Sequence, residues 1–304
     1  MRIYVAGHRG LVGSAIVRAI EAEGKHSWLG KTRSELDLLD RKAVFEFLAK
    51  EKPDAVVIAA AKVGGIYAND TFPVEFLTEN LQIEVNLMDG SHAAQIERLL
   101  FLGSSCVYPK MAKQPIKEEY LLTGELEKTN EAYALAKISG LKLIQAYRKQ
   151  YGYKWISAMP TNMYGPGDNF DIENSHVLPA LIRKFHDAKV QKKPSVTLWG
   201  TGSPKREFLH ADDLGRACIY LLEHYEDDVA INVGVGEDIA IKDLAVIIQG
   251  IVGFKGDVFW DTSKPDGTPR KLLDVTRIKA LGWNPEIELL DGIGETYAWF
   301  NNET

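Results

Sequence analysis

Short apolar runs alternate with longer amphipathic stretches along the first half of the chain. The apolar runs predict buried strands at residues 2–6, 26–30, 54–60, 98–103 and 153–159. Between them, apolar positions recur at helical spacing and predict helices at residues 14–23, 41–50, 73–95 and 130–151. Strands separated by helices form a parallel sheet that is covered on both faces. We therefore predict an α/β fold with a Rossmann-type doubly wound parallel sheet.

The second half of the chain has shorter elements and no internal repeat. Its pattern predicts helices at residues 177–188, 212–224, 241–252, 276–281 and 289–301. Strands are predicted at residues 196–199, 231–233 and 257–260, and the segment 231–233 is expected to return to the first sheet. We expect residues 1–165 to form a nucleotide-binding domain with sheet-returning segments near 208–235. Residues 166–304 are expected to form mainly a smaller, mixed α/β substrate-binding domain.

A glycine-rich turn follows the first predicted strand and leads into the first predicted helix. Glycine at positions 7, 10 and 13 permits a tight turn, a close approach of the backbone to a pyrophosphate and close packing of helix on strand. The helix N-terminus would then face the phosphates. Because a strand precedes this motif and a helix follows it, we predict a dinucleotide site. The segment consists of Gly7, His8, Arg9, Gly10, Leu11, Val12 and Gly13.

The second predicted strand ends without the acidic residue that would hold the ribose 2′-hydroxyl of NAD. The chain there reads Gly30, Lys31, Thr32, Arg33. Two guanidinium groups, Arg9 and Arg33, are placed to meet a 2′-phosphate, which favours NADP. The alternative is that both arginines are solvated surface residues.

Three further loops leave the same edge of the predicted sheet. They are residues 60–65, 103–108 and 160–166. Ligands of such sheets lie at the carboxyl ends of the strands, so these loops are expected to meet over the cofactor, with 160–166 beside the nicotinamide.

Tyr133 and Lys137 stand four residues apart on a predicted helix and therefore share one face. The lysine ammonium is expected to lower the pKa of the phenol, so that the tyrosine can exchange a proton with a carbonyl or alcohol oxygen. A hydride-transfer enzyme needs such a group. The alternative is an exposed helix face, because this spacing is frequent by chance.

The composition describes a globular protein and excludes several classes. Of 304 residues, 45% are hydrophobic and 26% are charged, and the net charge of -6 argues against binding of nucleic acid or an anionic membrane. The two cysteines, Cys106 and Cys218, lie far apart, which argues against a disulfide framework or a metal site. Without an apolar leader before the first strand or a membrane-length apolar run, we expect a cytoplasmic protein.

An anionic ligand of this acidic chain must be held by local basic residues. Lys184, Arg206, Arg270 and Lys271 recur in the second half, and Trp199 offers a flat apolar wall. Any one of these charges could equally be solvated. As a set they favour a substrate that carries a nucleotide diphosphate.

The combination of motifs resembles the extended short-chain dehydrogenase/reductases. Gly7, Gly10 and Gly13, then Ser104, then Tyr133 with Lys137 carry this resemblance, which covers nearly the whole chain. Within that superfamily the chain is similar to the GDP-L-fucose synthase family of bifunctional epimerase/reductases. The similar stretches are residues 7–10, 103–109, 160–166, 174–177, 206–210 and 264–273.

This resemblance implies a role for each matching residue. Ser104, Tyr133 and Lys137 would carry out the reduction, and Cys106 and His176 would be the acid/base residues of epimerisation. The NADPH site would comprise the glycine turn with Arg33, Ser104, Ser105, Lys137, Pro160, Asn162, Met163 and His176. The GDP-linked 4-keto-6-deoxy hexose substrate would contact Lys184, Trp199, Arg206, Asp266 and Lys271. The family also implies a homodimer, formed by the helices from about 73 and 130.

The residue chemistry is compatible with these roles. Ser104 and Cys106 are two apart on a segment expected to be extended, so both side chains should point to one face. A ketone at C4 acidifies the C3 and C5 protons, which a thiolate could abstract if a positive charge, from His176 or the nicotinamide ring, lowers the thiol pKa. The alternatives are a packed Cys106 and a His176 that only caps a helix. Cys218 is expected in the core, and His8 and His210 are expected to be structural or supporting.

The sequence is also compatible with other activities. A 4-keto sugar-nucleotide reductase or epimerase of the same superfamily would lack the bifunctional activity. A dehydratase of this type should have an acidic residue near the serine, where this chain has Cys106. A non-catalytic NADP sensor usually loses the tyrosine or the lysine, and this chain has both.

Overall fold

The computed structural model describes residues 1–171, 175–264 and 266–303. Helices and strands alternate in the first half. The strands are β1 (Arg2–Ala6), β2 (Ser27–Leu29), β3 (Ala55–Ile58), β4 (Arg98–Leu102), β5 (Lys154–Pro160) and β6 (Asn162–Tyr164). The helices are α1 (Leu11–Glu23), α2 (Arg41–Glu51), α3 (Ile66–Thr71), α4 (Pro73–Ala93) and α5 (Glu131–Tyr151).

The second half supplies the remaining elements. Its strands are β7 (Ser195–Trp199), β8 (Lys205–Arg206), β9 (Phe208–His210), β10 (Ile231–Val233), β11 (Ile239–Ala240), β12 (Asp257–Asp261) and β13 (Arg270–Lys271). Its helices are α6 (Val177–Val190), α7 (Ala211–His224), α8 (Ile241–Val252), α9 (Thr276–Ala280) and α10 (Leu289–Glu303). Among the described helices, none has both the length and the apolar composition needed to cross a bilayer.

A parallel six-stranded sheet forms the centre of the fold, in the order β10-β5-β4-β3-β1-β2. Its inner strands β3 and β4 are buried along most of their length because helices cover both faces. The predicted Rossmann-type sheet is confirmed, and β10 joins its edge as expected. The glycine turn therefore lies at the carboxyl edge of this sheet, where ligands bind in such folds.

The second half forms small sheets and a separate apolar cluster. β7 pairs with β12, and β8 pairs with both β11 and β13. Phe185, Ile248 and Ile293 belong to a hydrophobic cluster distinct from the one around the large sheet. The division of the chain at residue 165 stays a prediction.

Every predicted helix and strand is present, most with shifted ends, and the structure adds the helix α3 and the short strands β6, β8, β9, β11 and β13. α1 begins at Leu11, three residues before the predicted start at Ser14, because the glycine turn leads straight into it. The short helix α3 was not predicted, since its sequence lacks an apolar repeat long enough to recognise.

Candidate active site

The glycine turn joins β1 to α1 in a geometry that only glycine fits at two positions. Gly7 has a φ of 87°, and a Cβ added there would lie 2.8 Å from the backbone of Ala60. A Cβ on Gly13 would lie 2.0 Å from the carbonyl oxygen of Gly7. Gly10 precedes α1 without a capping side chain, and its own amide donates to Gly7 at 2.9 Å. The turn thus leaves the start of α1 open to a pyrophosphate.

Arg9 and Arg33 are exposed and follow neighbouring parallel strands, β1 and β2. A carboxylate does occur shortly after β2, at Glu35. It accepts hydrogen bonds from the Thr32 hydroxyl at 2.7 Å and the Thr32 amide at 2.8 Å. These hydrogen bonds lower the pKa of Glu35 to about 2. This carboxylate therefore has partners of its own, and both arginines stand at the sheet edge that the NADP prediction requires.

Tyr133 and Lys137 lie in the first two turns of α5, as predicted. The Lys137 ammonium stands 5.9 Å from the centroid of the Tyr133 ring, and the lysine side chain is only 2% exposed. Its Nζ lies 3.2 Å from a carboxylate oxygen of Glu84, a buried residue of α4 that sequence reasoning missed. The sequence signal for Glu84 was an acidic residue at a position of α4 where the helical pattern calls for an apolar one.

The expected acidity of Tyr133 is wrong. Its pKa is raised above the ordinary value, first by burial and then by the negative charges of Cys106 and Glu84, against a hydrogen bond with Ser104 that lowers it. Lys137 does not lower this pKa as expected, and its ammonium lies 3.2 Å from the Glu84 carboxylate instead. Tyr133 is therefore a protonated phenol at neutral pH.

Ser104 and Cys106 are close together, but not for the predicted reason. Residues Ser105–Val107 form a single 3-10 turn instead of an extended segment. The Ser104 hydroxyl oxygen accepts from the Cys106 amide at 3.2 Å, so the turn begins on the serine side chain. The serine, cysteine and tyrosine therefore meet in one place even though the alternating geometry is absent.

A lysine from the second half activates the Cys106 thiol. Lys271 Nζ lies 3.3 Å from Cys106 Sγ, and the Asn130 side-chain nitrogen Nδ2 lies 3.4 Å from the same sulfur. Burial alone would raise the pKa of Cys106, but the charges of Lys271 and Arg206 and a hydrogen bond with Ser104 lower it overall. The expected activation by His176 is wrong for the protein alone, because Lys271 supplies the positive charge.

His176 lies directly before α6 and is exposed. Desolvation by the surrounding protein lowers the pKa of its imidazole, and the charge of Lys271 lowers it further. Its side chain does not cap α6, so the alternative of a helix-capping histidine is wrong. Asn174, in the stretch that carried part of the resemblance, lies outside the described residues.

The basic residues of the second half divide into two groups. Lys184 and Lys264 place their ammonium groups 5.2 and 5.6 Å from the centroid of the Trp199 ring, and Trp199 is 65% exposed. Arg270 instead forms an ion pair with Asp238, which makes it a poorer diphosphate ligand. Trp199 and its two lysines thus form an open cationic and aromatic platform.

Arg206 lies near both Cys106 and Asp266, whose charges oppose the lowering of its pKa by burial. The Asp266 carboxylate accepts from the amide and the hydroxyl of Thr201, both at 2.7 Å, and so fixes the loop after β7. Arg206 is paired across the strands with Lys271, since β8 and β13 run parallel in that register. Pro265, within the stretch 264–273, lies outside the described residues.

A model of the NAD dependent epimerase/dehydratase family matches residues 3–234. The chain belongs to this family. GDP-L-fucose synthase of Sinorhizobium fredii is 55% identical over 299 residues, which cover 98% of this chain and 95% of that protein. A GDP-L-fucose synthetase from Naegleria fowleri bound to NADP is 30% identical, with a TM-score of 0.91 and coverage of 100% and 95% of the two chains. A GDP-6-OMe-4-keto-L-xylo-heptose reductase from Campylobacter jejuni is 37% identical, with a TM-score of 0.94 and coverage of 100% and 98%.

The buried side chain of Glu207 supports the side of this epimerase/dehydratase-family site that β5 and β6 form. Pro160 ends β5, and Asn162 and Met163 form β6 beside it. The side-chain amide of Asn162 donates to the backbone oxygen of Glu207 at 2.7 Å. The Glu207 side chain, which sequence reasoning did not single out, accepts from the amides of Gly236 at 2.7 Å and Leu273 at 2.9 Å.

The other predicted cysteine and histidines have structural surroundings. Cys218 is fully buried, so the core prediction is confirmed, and burial raises its pKa. His210 is buried and accepts from the Asp212 amide at 3.3 Å, as a cap of α7. His8 lies against Trp28, with ring centroids 5.7 Å apart. Ser105 is buried within its turn.

The contact with Lys271 gives Cys106 a testable pH dependence. Lys271→Gln removes the charge that lowers the thiol pKa, so the rate of any thiolate reaction should fall roughly tenfold near neutral pH and recover at higher pH. Alkylation by iodoacetamide, followed by mass spectrometry at Cys106, measures this rate. Lys205→Gln, a neighbouring exposed lysine, is the control. An alkylation profile for Lys271→Gln that coincides with wild type would contradict the activation.

Proposed function

We propose that the chain is a GDP-L-fucose synthase. It would epimerise GDP-4-keto-6-deoxy-D-mannose at C3 and C5 and reduce C4 with NADPH to give GDP-L-fucose. The observation that carries this proposal is the 3.3 Å contact between Lys271 and Cys106 directly beside Ser104. A simple reductase needs the serine and tyrosine but has no use for an activated thiol. The relative from Sinorhizobium fredii, 55% identical over nearly the whole chain, is named GDP-L-fucose synthase.

Epimerisation uses Cys106 as the base. The C4 ketone acidifies the protons on C3 and C5, and hydrogen bonds to the ketone oxygen from Ser104 and Tyr133 stabilise the enolate that forms. The thiolate abstracts a proton from one face, and His176 donates one to the other face. Because the pKa of His176 is lowered, the imidazole is mostly neutral at rest, so it takes a proton from solvent before it donates one, and the thiol returns its proton to solvent before the second centre is inverted.

Reduction uses Tyr133 as the acid. NADPH, when bound, supplies the hydride that reaches C4. Ser104 orients the carbonyl, and Tyr133 donates its phenolic proton to the developing C4 alkoxide. The raised pKa of Tyr133 suits this direction of reaction, because the group must hold its proton until the alkoxide forms.

The cofactor would lie along the carboxyl edge of the sheet. The glycine turn at residues 7–13 and the start of α1 would hold the pyrophosphate, while Arg9 and Arg33 would hold the 2′-phosphate. Lys137 would hold the nicotinamide ribose, and His176 would border the cofactor from the second half. Ser104, Ser105, Pro160, Asn162 and Met163 would line the nicotinamide side.

The GDP moiety would lie in the second half. Trp199 with Lys184 supplies a stacking face and a positive charge, and Arg206 with Lys271 supplies charge for the diphosphate. Asp266 orders the loop between these two groups. Lysine at position 184 attracts phosphate as a point charge and lacks the bidentate geometry of arginine.

The two arginines predict a preference for NADPH over NADH. Two charge-assisted contacts at about 1.5 kcal/mol each give a preference of roughly a hundredfold in kcat/KM. Arg33→Ala should reduce this preference roughly tenfold by removing one contact, without affecting NADH. The matched control is Lys50→Ala, an exposed cation on α2. Equal kcat/KM values for the two cofactors in the wild type would refute the assignment.

A second candidate is a 4-keto sugar-nucleotide reductase that does not epimerise its substrate. The Campylobacter jejuni reductase, 37% identical over the whole chain, favours it. Incubation with GDP-4-keto-6-deoxy-D-mannose and NADPH, followed by identification of the sugar by NMR, separates the candidates. GDP-fucose supports the bifunctional enzyme, and an uninverted 6-deoxy sugar supports the simple reductase.

We also propose a cytoplasmic homodimer that binds neither nucleic acid nor membrane. Support for the dimer comes from apolar residues exposed at the N-terminal ends of α4 and α5. Phe72, Val74 and Leu135 are 47%, 67% and 42% exposed. Two copies of these helices would cover this apolar face.

A further inference from the structure

The asparagine that begins helix α5 does not cap it. Asparagine is favoured before the first turn of a helix because its side-chain oxygen accepts from the free backbone amides there. Asn130 holds this position, yet its side chain makes no capping hydrogen bond. Its Nδ2 instead donates to Cys106 Sγ at 3.4 Å. The side chain therefore contacts the thiol and leaves the start of its own helix uncapped.

The oxygen of the same amide group is also left without a partner. Asn130 Oδ1 is buried and accepts no hydrogen bond within the part of the chain that the structure describes. A buried acceptor without a donor destabilises a folded protein. Among those residues, the contact with Cys106 is the one hydrogen bond of this side chain. Fold stability therefore does not explain the orientation of the amide, and the contact with the thiol does.

The start of α5 meets the turn after β4 in two pairs of side chains. Tyr133, one helical turn beyond Asn130, has a hydrogen bond with Ser104. Asn130 has one with Cys106, two residues further along the turn. Both pairs connect the same two elements, because residues three apart on a helix lie on one side of it. The first pair is assigned to reduction, and the second contains the thiol assigned to epimerisation.

Lys271 and Asn130 act on the sulfur in different ways, although both line one cavity with Cys106. Lys271 Nζ, at 3.3 Å, is a point charge on a long flexible side chain from the second half. The Asn130 amide is planar, uncharged and short, and it stands at the start of the helix that carries Tyr133. The lysine charge favours the thiolate, whereas the asparagine amide gives the sulfur a fixed direction.

We propose that Asn130 is a positioning residue for epimerisation, which holds the Cys106 sulfur towards the carbons beside the C4 ketone while Lys271 stabilises its negative charge. This inference rests on the proposed function. The base must reach C3 and C5 in turn, on either side of the ketone that Ser104 and Tyr133 hold. A sulfur free to rotate about its side-chain bond would lose part of this alignment. The amide gives up no proton, so the proton taken from carbon passes to the sulfur alone.

Asn130→Ser separates the contact with the thiol from the stability of the helix. The serine hydroxyl ends one bond nearer the backbone than the amide nitrogen, and serine is itself a favoured cap, so the thermal midpoint of unfolding should not fall. Exchange of the C3 and C5 protons with D2O, followed by NMR, should fall roughly tenfold, the typical effect of one lost hydrogen bond. Wild-type exchange in the folded variant would overturn the proposal.

The ratio of products distinguishes lost positioning from general damage. Ser104 and Tyr133 are unchanged in Asn130→Ser, so C4 reduction with NADPH should continue. Because inversion slows while reduction does not, the share of uninverted 6-deoxy sugar in the product should rise. Equal slowing of both steps, with the wild-type ratio retained, would mean that the whole site is distorted and would contradict the proposal. Lys128→Ser, an exposed change in the 3-10 turn Lys128–Asn130, is the control and should keep the wild-type exchange and ratio.

Alkylation of Cys106 by iodoacetamide shows whether Lys271 still supplies its charge. Lys271 is unchanged in Asn130→Ser, so the pH midpoint of alkylation should stay near that of the wild type, whereas Lys271→Gln should move it upward. A midpoint moved as far as in Lys271→Gln would overturn the positioning role, since the asparagine would then act on the charge of the sulfur.

A second variant covers the case in which Asn130→Ser does not fold. Asn130→Asp has the same shape and is a favoured cap, but it lacks the N–H donor, so it should also slow the exchange roughly tenfold or more. A folded Asn130→Asp with wild-type exchange would then overturn the role of Asn130. A wild-type protein that neither reduces the keto sugar nor exchanges its protons would instead refute the proposed function, so the two failures are distinguishable.

Discussion

Tyr133→Phe should lower the rate of C4 reduction by about a hundredfold to ten-thousandfold while NADPH still binds. The substitution removes the phenolic proton donor and changes little volume, and the Tyr133 ring keeps its edge contact with Phe76, with centroids 6.4 Å apart. Ser104 can still hydrogen-bond the carbonyl, but it cannot replace a proton donor held beside it. Single-turnover oxidation of NADPH by the enzyme–substrate complex measures the loss, and quenching of protein fluorescence measures cofactor binding.

Two comparisons make this prediction specific. Tyr151→Phe changes an exposed tyrosine of the same helix, 49% exposed at its far end, and should leave reduction unchanged. Lys137→Ala should damage both cofactor binding and reduction, because the lysine is expected to hold the ribose. Near-normal turnover by Tyr133→Phe would rule out this mechanism.

Cys106→Ser should abolish exchange of the C3 and C5 protons with D2O, with a loss of about a hundredfold or more. Serine has nearly the same size, but its hydroxyl is far less acidic than the thiol, whose pKa Lys271 at 3.3 Å lowers against the effect of burial. Tyr133, Ser104 and Lys137 are unchanged, so NADPH should still be oxidised slowly. The product should then be a 6-deoxy sugar whose mannose-derived centres are uninverted, which NMR of the released sugar would show.

The second cysteine provides the matched control. Cys218→Ala removes a thiol that is fully buried in the core, away from Lys271, and should leave the exchange rate intact once folding is verified. Normal deuterium incorporation and normal GDP-fucose formation by Cys106→Ser would mean that Cys106 is only packed. The function would then be that of the simple reductase.

The sequence was sufficient to predict the sheet and the outline of the site. Buried strands such as β3 and β4 are continuous apolar runs. Gly7 and Gly13 are required by the local turn, through the positive φ of Gly7 and the 2.0 Å approach of a Gly13 Cβ to the Gly7 carbonyl oxygen. The Tyr133–Lys137 pair follows from helical spacing. In each case the physical cause lies within a few residues of the pattern, so periodicity and turn chemistry reveal it.

Contacts between distant segments could not be predicted in this way. Lys271 reaches Cys106 across 165 positions of sequence, and Glu84 reaches Lys137 from a different helix. The turn at Ser105–Val107 depends on a side-chain acceptor that competes with an extended backbone. The acidity of Tyr133 was mispredicted for the same reason, since its main causes are burial and charges from other segments.

The Glu207 carboxylate makes the pKa of the Cys106 thiol depend on the position of β13, which lies far from Cys106 in sequence. By accepting from the amides of Gly236 and Leu273, it fastens the end of β13 against β8, and thereby holds Lys271 over Cys106. Detachment of this strand would remove the Lys271 charge and so raise the thiol pKa. Oxidants attack the thiolate far more readily than the thiol. The docked arrangement that makes the sulfur a competent base therefore also gives it the thiolate character on which oxidants act.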